Sequence, residues 1–464
     1  MIFELDIFAI PAANPILAAW WFFTNGGWMA VLVAALYAGW RWWLTDRQHK
    51  YTHEVRYILL AIDVPKTTDQ GPVAVEQIFA TLAGTYKLGT LYHRYWQGRT
   101  QETFSFEIVS LGGYIQFLIR TPADFRDLVE ASVYAQYPDA EITEVEDYVH
   151  RIAVNFDTAD YDLWGTEFQL KNKDCYPIRM YNDFKNELNI EDQFKDPMAS
   201  LLEIMGRINN DEDIWLQILV TSSDDHWQHQ GQREVKRIIE NRNHSRDSWW
   251  EKILFKFPLK FMDWASEAII PLWGDVKGHE AVIEPGTVQK LSPGQKKVVE
   301  AIEHKMSKIG FHVKMRMIYW GRREAFLKGR GVMAVVGAIQ QFTALNLNGL
   351  VPADRMTTKA EYFLKQWRIN RRKRRILRHY QSRTTHRGMG HGFILNIEEL
   401  ATLYHFPVTA VKAPLVKKAA VKKAEPPFAL PIYQPGMVKA TVDTAAGARA
   451  GVKGAPPVNL PFVD

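Results

Sequence analysis

Thr103-Phe-Ser-Phe-Glu-Ile-Val109 and Tyr114-Ile-Gln-Phe-Leu-Ile-Arg120 are two β-rich runs joined through Gly112-Gly113. A diglycine between such runs predicts a tight hairpin, because both central positions can take positive φ without steric cost. Upstream, Arg56-Tyr-Ile-Leu-Leu-Ala-Ile-Asp-Val-Pro65 reads as a strand closed by proline, and Pro72 to Tyr86 carries Val75, Ile78, Phe79 and Leu82 at helical spacing. Downstream, Pro122 opens a helix through Phe125, Leu128, Val129 and Val133. Ala140-Glu-Ile-Thr-Glu-Val-Glu146 then alternates apolar and acidic residues, as an edge strand does. The order β-α-β-β-α-β predicts a ferredoxin-like unit.

A second, expanded unit is expected from a strand at Pro177 to Phe184, a helix at Met198 to Ile208 and a buried strand at Ile214 to Val220. A helix at Gln295 to Ile309, a strand at Phe311 to Tyr319 and a helix at Lys328 to Phe342 complete it. One larger α+β domain is the alternative. Inside this unit Asp247 to Trp273 is crowded with aromatics among Lys252, Lys256 and Lys260, fitting either a membrane interface or a hairpin packed on the domain. Pro258 and Pro271 break any single long face there.

No charged residue stands between Asp6 and Arg41, and Trp20, Trp21 at one end with Trp40, Trp42 and Trp43 at the other resemble aromatic belts. A transmembrane helix is therefore expected. Arg41, Arg47 and Lys50 predict a single-pass protein of the cell inner membrane with its carboxyl-terminal bulk cytoplasmic. Pro11, Pro15, Asn25, Gly26 and Gly27 leave open whether Ile7 to Phe23 is a separate interfacial or re-entrant piece.

The 464 residues hold 57 Lys and Arg against 52 Asp and Glu, a net charge of +5. Eleven of those cations and one acid, Glu361, lie between Lys359 and His391, so that segment carries about +10 and the rest about −5. With 47% hydrophobic residues wholesale disorder is excluded, and Cys175, as the single cysteine, can form neither an internal disulfide nor a cysteine-based zinc site. Nucleotide and metal signatures fail one by one. The chain has no Gly-Lys dipeptide and hence no P-loop, and Gly388-Met-Gly390-His-Gly392 lacks dinucleotide spacing. His53-Glu54 and His279-Glu280 lack the second histidine of a zinc helix, and His226 with His229 has no carboxylate partner in pattern. Neither an enzyme nor a cofactor is predicted.

Phe363 to Tyr380 predicts a basic helix with a narrow apolar stripe of Phe363, Trp367, Ile369, Ile376, Leu377 and Tyr380. Its candidate phosphate- or lipid-binding residues are Arg371, Arg372, Lys373, Arg374, Arg375 and Arg378, and DNA, anionic lipid or an acidic protein groove all fit. Beyond it Phe393-Ile-Leu-Asn-Ile-Glu-Glu-Leu-Ala-Thr-Leu-Tyr-His-Phe-Pro407 forms a short helix capped by Asn396 and stopped by Pro407. Leu395, Ile397, Leu400, Leu403, Tyr404 and Phe406 either dock in a partner's groove or pack on their own domain. Past Lys412 the Ala-, Lys-, Pro- and Gly-rich tail is expected to be disordered.

Phe393 to Pro407, followed by Val411-Lys-Ala-Pro414 and Glu425-Pro-Pro427, is similar to the connector that precedes the motor domain in type IV secretion and conjugation ATPases. Gly71-Pro-Val-Ala-Val-Glu-Gln-Ile-Phe79, Phe104-Ser-Phe-Glu-Ile-Val109 and Tyr134-Ala-Gln-Tyr-Pro-Asp-Ala-Glu141 are similar to an uncharacterised membrane-anchored family of candidate-phylum bacteria found beside such ATPases. The likeness covers most of residues 50 to 430. Because this chain ends where the motor domain would begin, the resemblance implies a non-enzymatic membrane-anchored subunit that scaffolds a separate P-loop secretion ATPase. A membrane-tethered nucleic-acid-binding protein of DNA transfer or uptake is the alternative, and a homo-oligomer is left open.

The expected architecture is α+β: an N-terminal transmembrane helix, two ferredoxin-like units, a basic helix and a disordered tail. Its boundaries are an anchor at 1–50, a first ferredoxin-like domain at 51–165 and a second at 166–350 with an aromatic insertion at 225–294. A basic helix at 351–392 and a docking motif with flexible tail at 393–464 follow.

Overall fold

β2 (Thr103–Leu111) and β3 (Tyr114–Pro122) form the expected hairpin, in register from Leu111 opposite Tyr114 to Ser105 opposite Arg120. Gly112 and Gly113 have φ of 60° and 86°, and a Cβ on Gly112 would stand 3.0 Å from the Asn210 carbonyl oxygen. Glycine is required there for both conformation and space. The computed structural model describes residues 20, 23–24, 28–65, 70–86, 89–154, 156, 159–184, 196–224, 226–240, 291–385 and 392–407. The aromatic stretch Asp247 to Trp273, nearly all of the 225–294 insertion beyond residue 240, and the tail past Pro407 lie outside them, as do most residues from Ile7 to Phe23.

On the free side of β3 runs β1 (Tyr57–Asp63), flanked by the short edge strand β4 (Glu141–Glu144). On the other side of the hairpin β2 pairs along its whole length with β6 (Glu212–Ser222), from Thr103 opposite Thr221 to Leu111 opposite Asp213. β6 continues into β7 (Gly310–Arg322), then β5 (Tyr161–Leu170) and β8 (Leu350–Pro352). β9 (Phe393–Asn396) takes the amino-terminal end of the β7 edge, where β5 no longer reaches. All pairs are antiparallel, and the result is a nine-stranded sheet in the order β4-β1-β3-β2-β6-β7-β5-β8, with β9 on β7.

Two ferredoxin-like units are therefore not what the chain forms. One sheet passes without interruption through the β2–β6 pairing, and a single apolar cluster draws on strands from both sides of it. The region read as the opening strand of a second unit, Pro177 to Phe184, holds only a 3-10 turn at Tyr181–Phe184. That position in the sheet belongs to β5, whose residues Tyr161 to Leu170 carry no apolar run long enough to stand out.

Period-two alternation divides the side chains between the two faces. Phe104, Phe106 and Ile108, with Ile214, Leu216, Ile218, Val313, Met315 and Met317, line the first face. Over it lie α2 (Pro72–Ala83), α3 (Arg126–Gln136), α4 (Ala199–Gly206) and α7 (Ala334–Gln340). α5 (His226–Ile239) and α6 (Pro293–Met306) pack on each other through Val235, Ile239, Val299 and Ile302. α8 (Lys365–Ser382) covers the second face, setting Ile376, Leu377 and Tyr380 against Leu163, Trp215 and Ile318. α9 (Ile397–Leu403) closes the first face beside α2.

α1 (Trp28–Glu54) corrects the membrane expectation. Its uncharged part ends at Arg41, so Trp28 to Trp40 spans about 20 Å of helix, short of the roughly 30 Å hydrocarbon layer. No described helix is long and apolar enough to cross a membrane, which overturns both the expected transmembrane helix and the single-pass inner-membrane location. Trp40 and Trp43, read as one aromatic belt, instead pack on Tyr95 and Trp96 of a π-helical turn, with ring centroids 6.0 and 5.5 Å apart.

Candidate functional site

The second face of the sheet places α8 with one flank buried and one in solvent. Ile376, Leu377 and Tyr380 recur at helical spacing and are fully buried. Gly165 of β5 permits the close approach, since a Cβ there would stand 3.0 Å from Ile376 Cγ2. Two of the six predicted cations serve this packing. Lys373 is buried and ion-paired to Asp162, and Arg372 Nη1 donates to the carbonyl oxygens of Asp354 at 3.2 Å, Thr357 at 3.1 Å and Lys359. Arg372 thereby straps the preceding loop to the helix.

Arg371, Arg374, Arg375 and Arg378 are the other four, and all are exposed. Their spacing of three and four residues places them on one stripe, about 10 Å long at 1.5 Å per residue. No carboxylate among the described residues pairs with them. Like charges three and four apart repel by a few tenths of a kcal/mol each, so the stripe is a cost to the isolated helix and a gain only against an anion.

Trp367 stands at the head of the stripe with Arg371 5.3 Å from its ring centroid. Its ring lines two concavities. One, of about 530 Å³, is shared with Asn370, Arg371, Arg374, Arg375, Arg378 and His379; the other, of about 410 Å³, with Arg355, Arg368, Arg371, Arg372 and Arg375. Just before the helix Tyr362, Phe363 and Leu364 are also exposed, and Tyr362 and Leu364 have φ of 68° and 52°. Of the predicted apolar stripe, Phe363 and Trp367 are exposed, whereas Ile376, Leu377 and Tyr380 are buried against the second face of the sheet. The dense aromatic cluster immediately before the cation run was the signal for this.

Of the two readings of residues 393–407, the structure has the one in which the segment packs on its own domain. Leu395, Ile397, Leu400, Leu403, Tyr404 and Phe406 are all buried in the chain's own core. Leu395 belongs to β9, and Tyr404 meets Phe106 edge-on with centroids 5.0 Å apart, while Phe406 lies 5.2 Å from Phe117 and 5.1 Å from Tyr137. None is presented to a partner. The physical reason is the β7 edge beyond β5, which needs a strand and brings the following helix onto α2.

Two polar constellations escaped sequence reading. Glu107, Gln217, Arg316 and Glu167 stand opposite one another on β2, β6, β7 and β5, a buried row across the second face. Arg383, just past α8, closes it by donating Nε at 2.7 Å and Nη2 at 2.9 Å to the Glu107 carboxylate, and Nη1 at 2.6 Å to Asp147. His405 lies 2.9 Å from Asp196 through Nε2 and 2.8 Å from the Ala401 carbonyl oxygen through Nδ1, so both ring nitrogens are committed to packing. Among the described residues no group of His, Cys, Asp and Glu is arranged to hold a metal ion.

A family model described as a domain of unknown function, DUF8128, matches residues 65–419, well over half of the chain. The chain belongs to the DUF8128 family. The DUF8128 match includes α8, the strap from Arg372, and β9 with α9, so the cationic stripe lies within the family domain. No curated protein matches the chain.

Proposed function

We propose that this DUF8128 protein is a non-enzymatic nucleic-acid-binding protein of a transfer or uptake system. Arg371, Arg374, Arg375 and Arg378 hold backbone phosphates on the outer flank of α8. The observation that carries this reading is four exposed arginines on one stripe without a carboxylate partner among the described residues. Guanidinium forks suit phosphate oxygens, and the release of the counterions condensed on the nucleic acid supplies the binding energy. The resemblance to secretion and conjugation connectors supports the setting. Scaffolding of a separate P-loop secretion ATPase, the other function that the resemblance implies, would need a surface other than residues 395–406, whose side chains fill the core.

The test is equilibrium binding of labelled DNA across a salt series, for wild type and for a variant with all four arginines changed to Gln. Removing one arginine–phosphate pair lowers the slope of log affinity against log salt by about 0.9 on a duplex and about 0.7 on a single strand, so the variant's slope falls by roughly 3 to 4. An unchanged slope, or binding to anionic vesicles without binding to nucleic acid, overturns the proposal.

A further inference from the structure

We infer that the strand held by α8 is single-stranded, with its bases stacked on Trp367, Tyr362 and Phe363. This rests on the phosphate-binding reading above and adds what the arginines alone do not specify. Tyr362 is 88% and Phe363 81% exposed, and Trp367 is 58% exposed at the first turn of the helix that carries the arginines. Three aromatic rings in water beside one cationic stripe are an unusual use of apolar surface, since such rings ordinarily bury.

Their backbone shows that the exposure is built in. Tyr362 and Leu364 sit in left-handed conformations that side-chain-bearing residues rarely adopt, and the turn is held by Arg368 Nη1 donating to the Glu361 carbonyl oxygen at 3.0 Å. The residues that line the concavities together with Trp367 are all polar or cationic, unlike the apolar surroundings of an interfacial membrane anchor. Trp367 lines two concavities, one shared with arginines, Asn370 and His379 and the other with arginines alone, so a planar base entering either one meets an aromatic ring beside cations. Every unpaired base has a free π-face, and a stack on an aromatic ring with a nearby arginine holds it regardless of sequence. In a duplex those faces are occupied by neighbouring bases, and exposed rings have nothing to stack on.

The experiment compares single strands and duplexes of about 20 nucleotides, long enough for several such stacks, on the full chain. Wild type, Trp367→Ala, Trp367→Phe and the double variant Tyr362→Ala, Phe363→Ala are used, with thermal melts verifying that each is folded. Wild type is expected to prefer the single strand; Trp367→Ala loses on the order of 10-fold in single-strand affinity with duplex affinity unchanged, and Trp367→Phe restores most of it. Photocrosslinking with a 5-iodouracil strand should place the adduct on Trp367, Tyr362 or Phe363. Equal affinity for both forms, with the aromatic variants altering neither, overturns the stacking inference, while a reduced salt slope in the arginine variant keeps the phosphate surface standing. Failure of wild type to bind either form overturns both.

Discussion

Glu107 lies on an interior position of β2 with no exposure, and burial by itself pushes its carboxyl up. Arg383 beside it, with hydrogen bonds from Arg383, Ser105 and Tyr148, outweighs burial and holds the group at about 2 instead of 4.5. The folded state therefore releases this proton more readily than the unfolded chain does. Its stabilisation is complete above about pH 5 and drains away as pH falls towards 2. Denaturation followed from pH 6 to pH 3 should show this loss, and Glu107→Gln should flatten part of the slope. Arg383→Met should be harsher than either, destabilising by about 3–5 kcal/mol at neutral pH, because it leaves a buried carboxylate without its partner. A urea midpoint within experimental error of wild type would contradict the assignment.

At the scale of elements, β9 and α9 show how a segment suited to docking serves its own fold. Asn396 caps α9 by accepting from the Glu399 backbone at 2.8 Å, and the Glu399 carboxylate accepts in return from the Asn396 amide and pairs with buried Lys305 at 3.0 Å. Each buried apolar side chain here contributes about 1.5–3 kcal/mol. Leu400→Ala should accordingly cost about 2–5 kcal/mol, and Leu400→Asp should abolish cooperative folding, because a carboxylate would enter the cluster formed with α2. Circular dichroism and thermal melts decide the matter: a folded Leu400→Asp protein that no longer bound a partner would restore the docking reading. The α8 stripe behaves oppositely, since its four arginines should be replaceable by Gln with little loss of melting temperature.

For the whole molecule the deciding pairing is β2 with β6. Across it Phe79 of α2 meets Phe311 of β7, and Phe106 of β2 meets Tyr404 past α9. Neither half closes its own core. Residues 51–165 expressed alone should therefore lack a cooperative unfolding transition, since β2 would present an unpaired edge and lose its covering from α9. In the intact chain, amides of β2 and β7 should exchange through one opening event of the same free energy. A stable, cooperatively folding fragment 51–165 would refute this.

Sequence alone determined the local elements wherever pattern and punctuation agreed. The β2–β3 hairpin, the α2 helix with its proline start, the acidic edge strand β4 and the basic helix α8 were legible because each depends on neighbours within a few residues. The cationic stripe was legible as charge. Which arginines stay free was not, because Lys373 and Arg372 are claimed by Asp162 and by carbonyl oxygens of a loop folded back onto the helix. Tertiary structure likewise decided that the strands share one sheet, that Glu107 finds Arg383, and that residues 395–406 turn inward. Those outcomes rest on pairings between segments far apart in the chain, and an apolar pattern states only that a face must be covered, without naming what covers it.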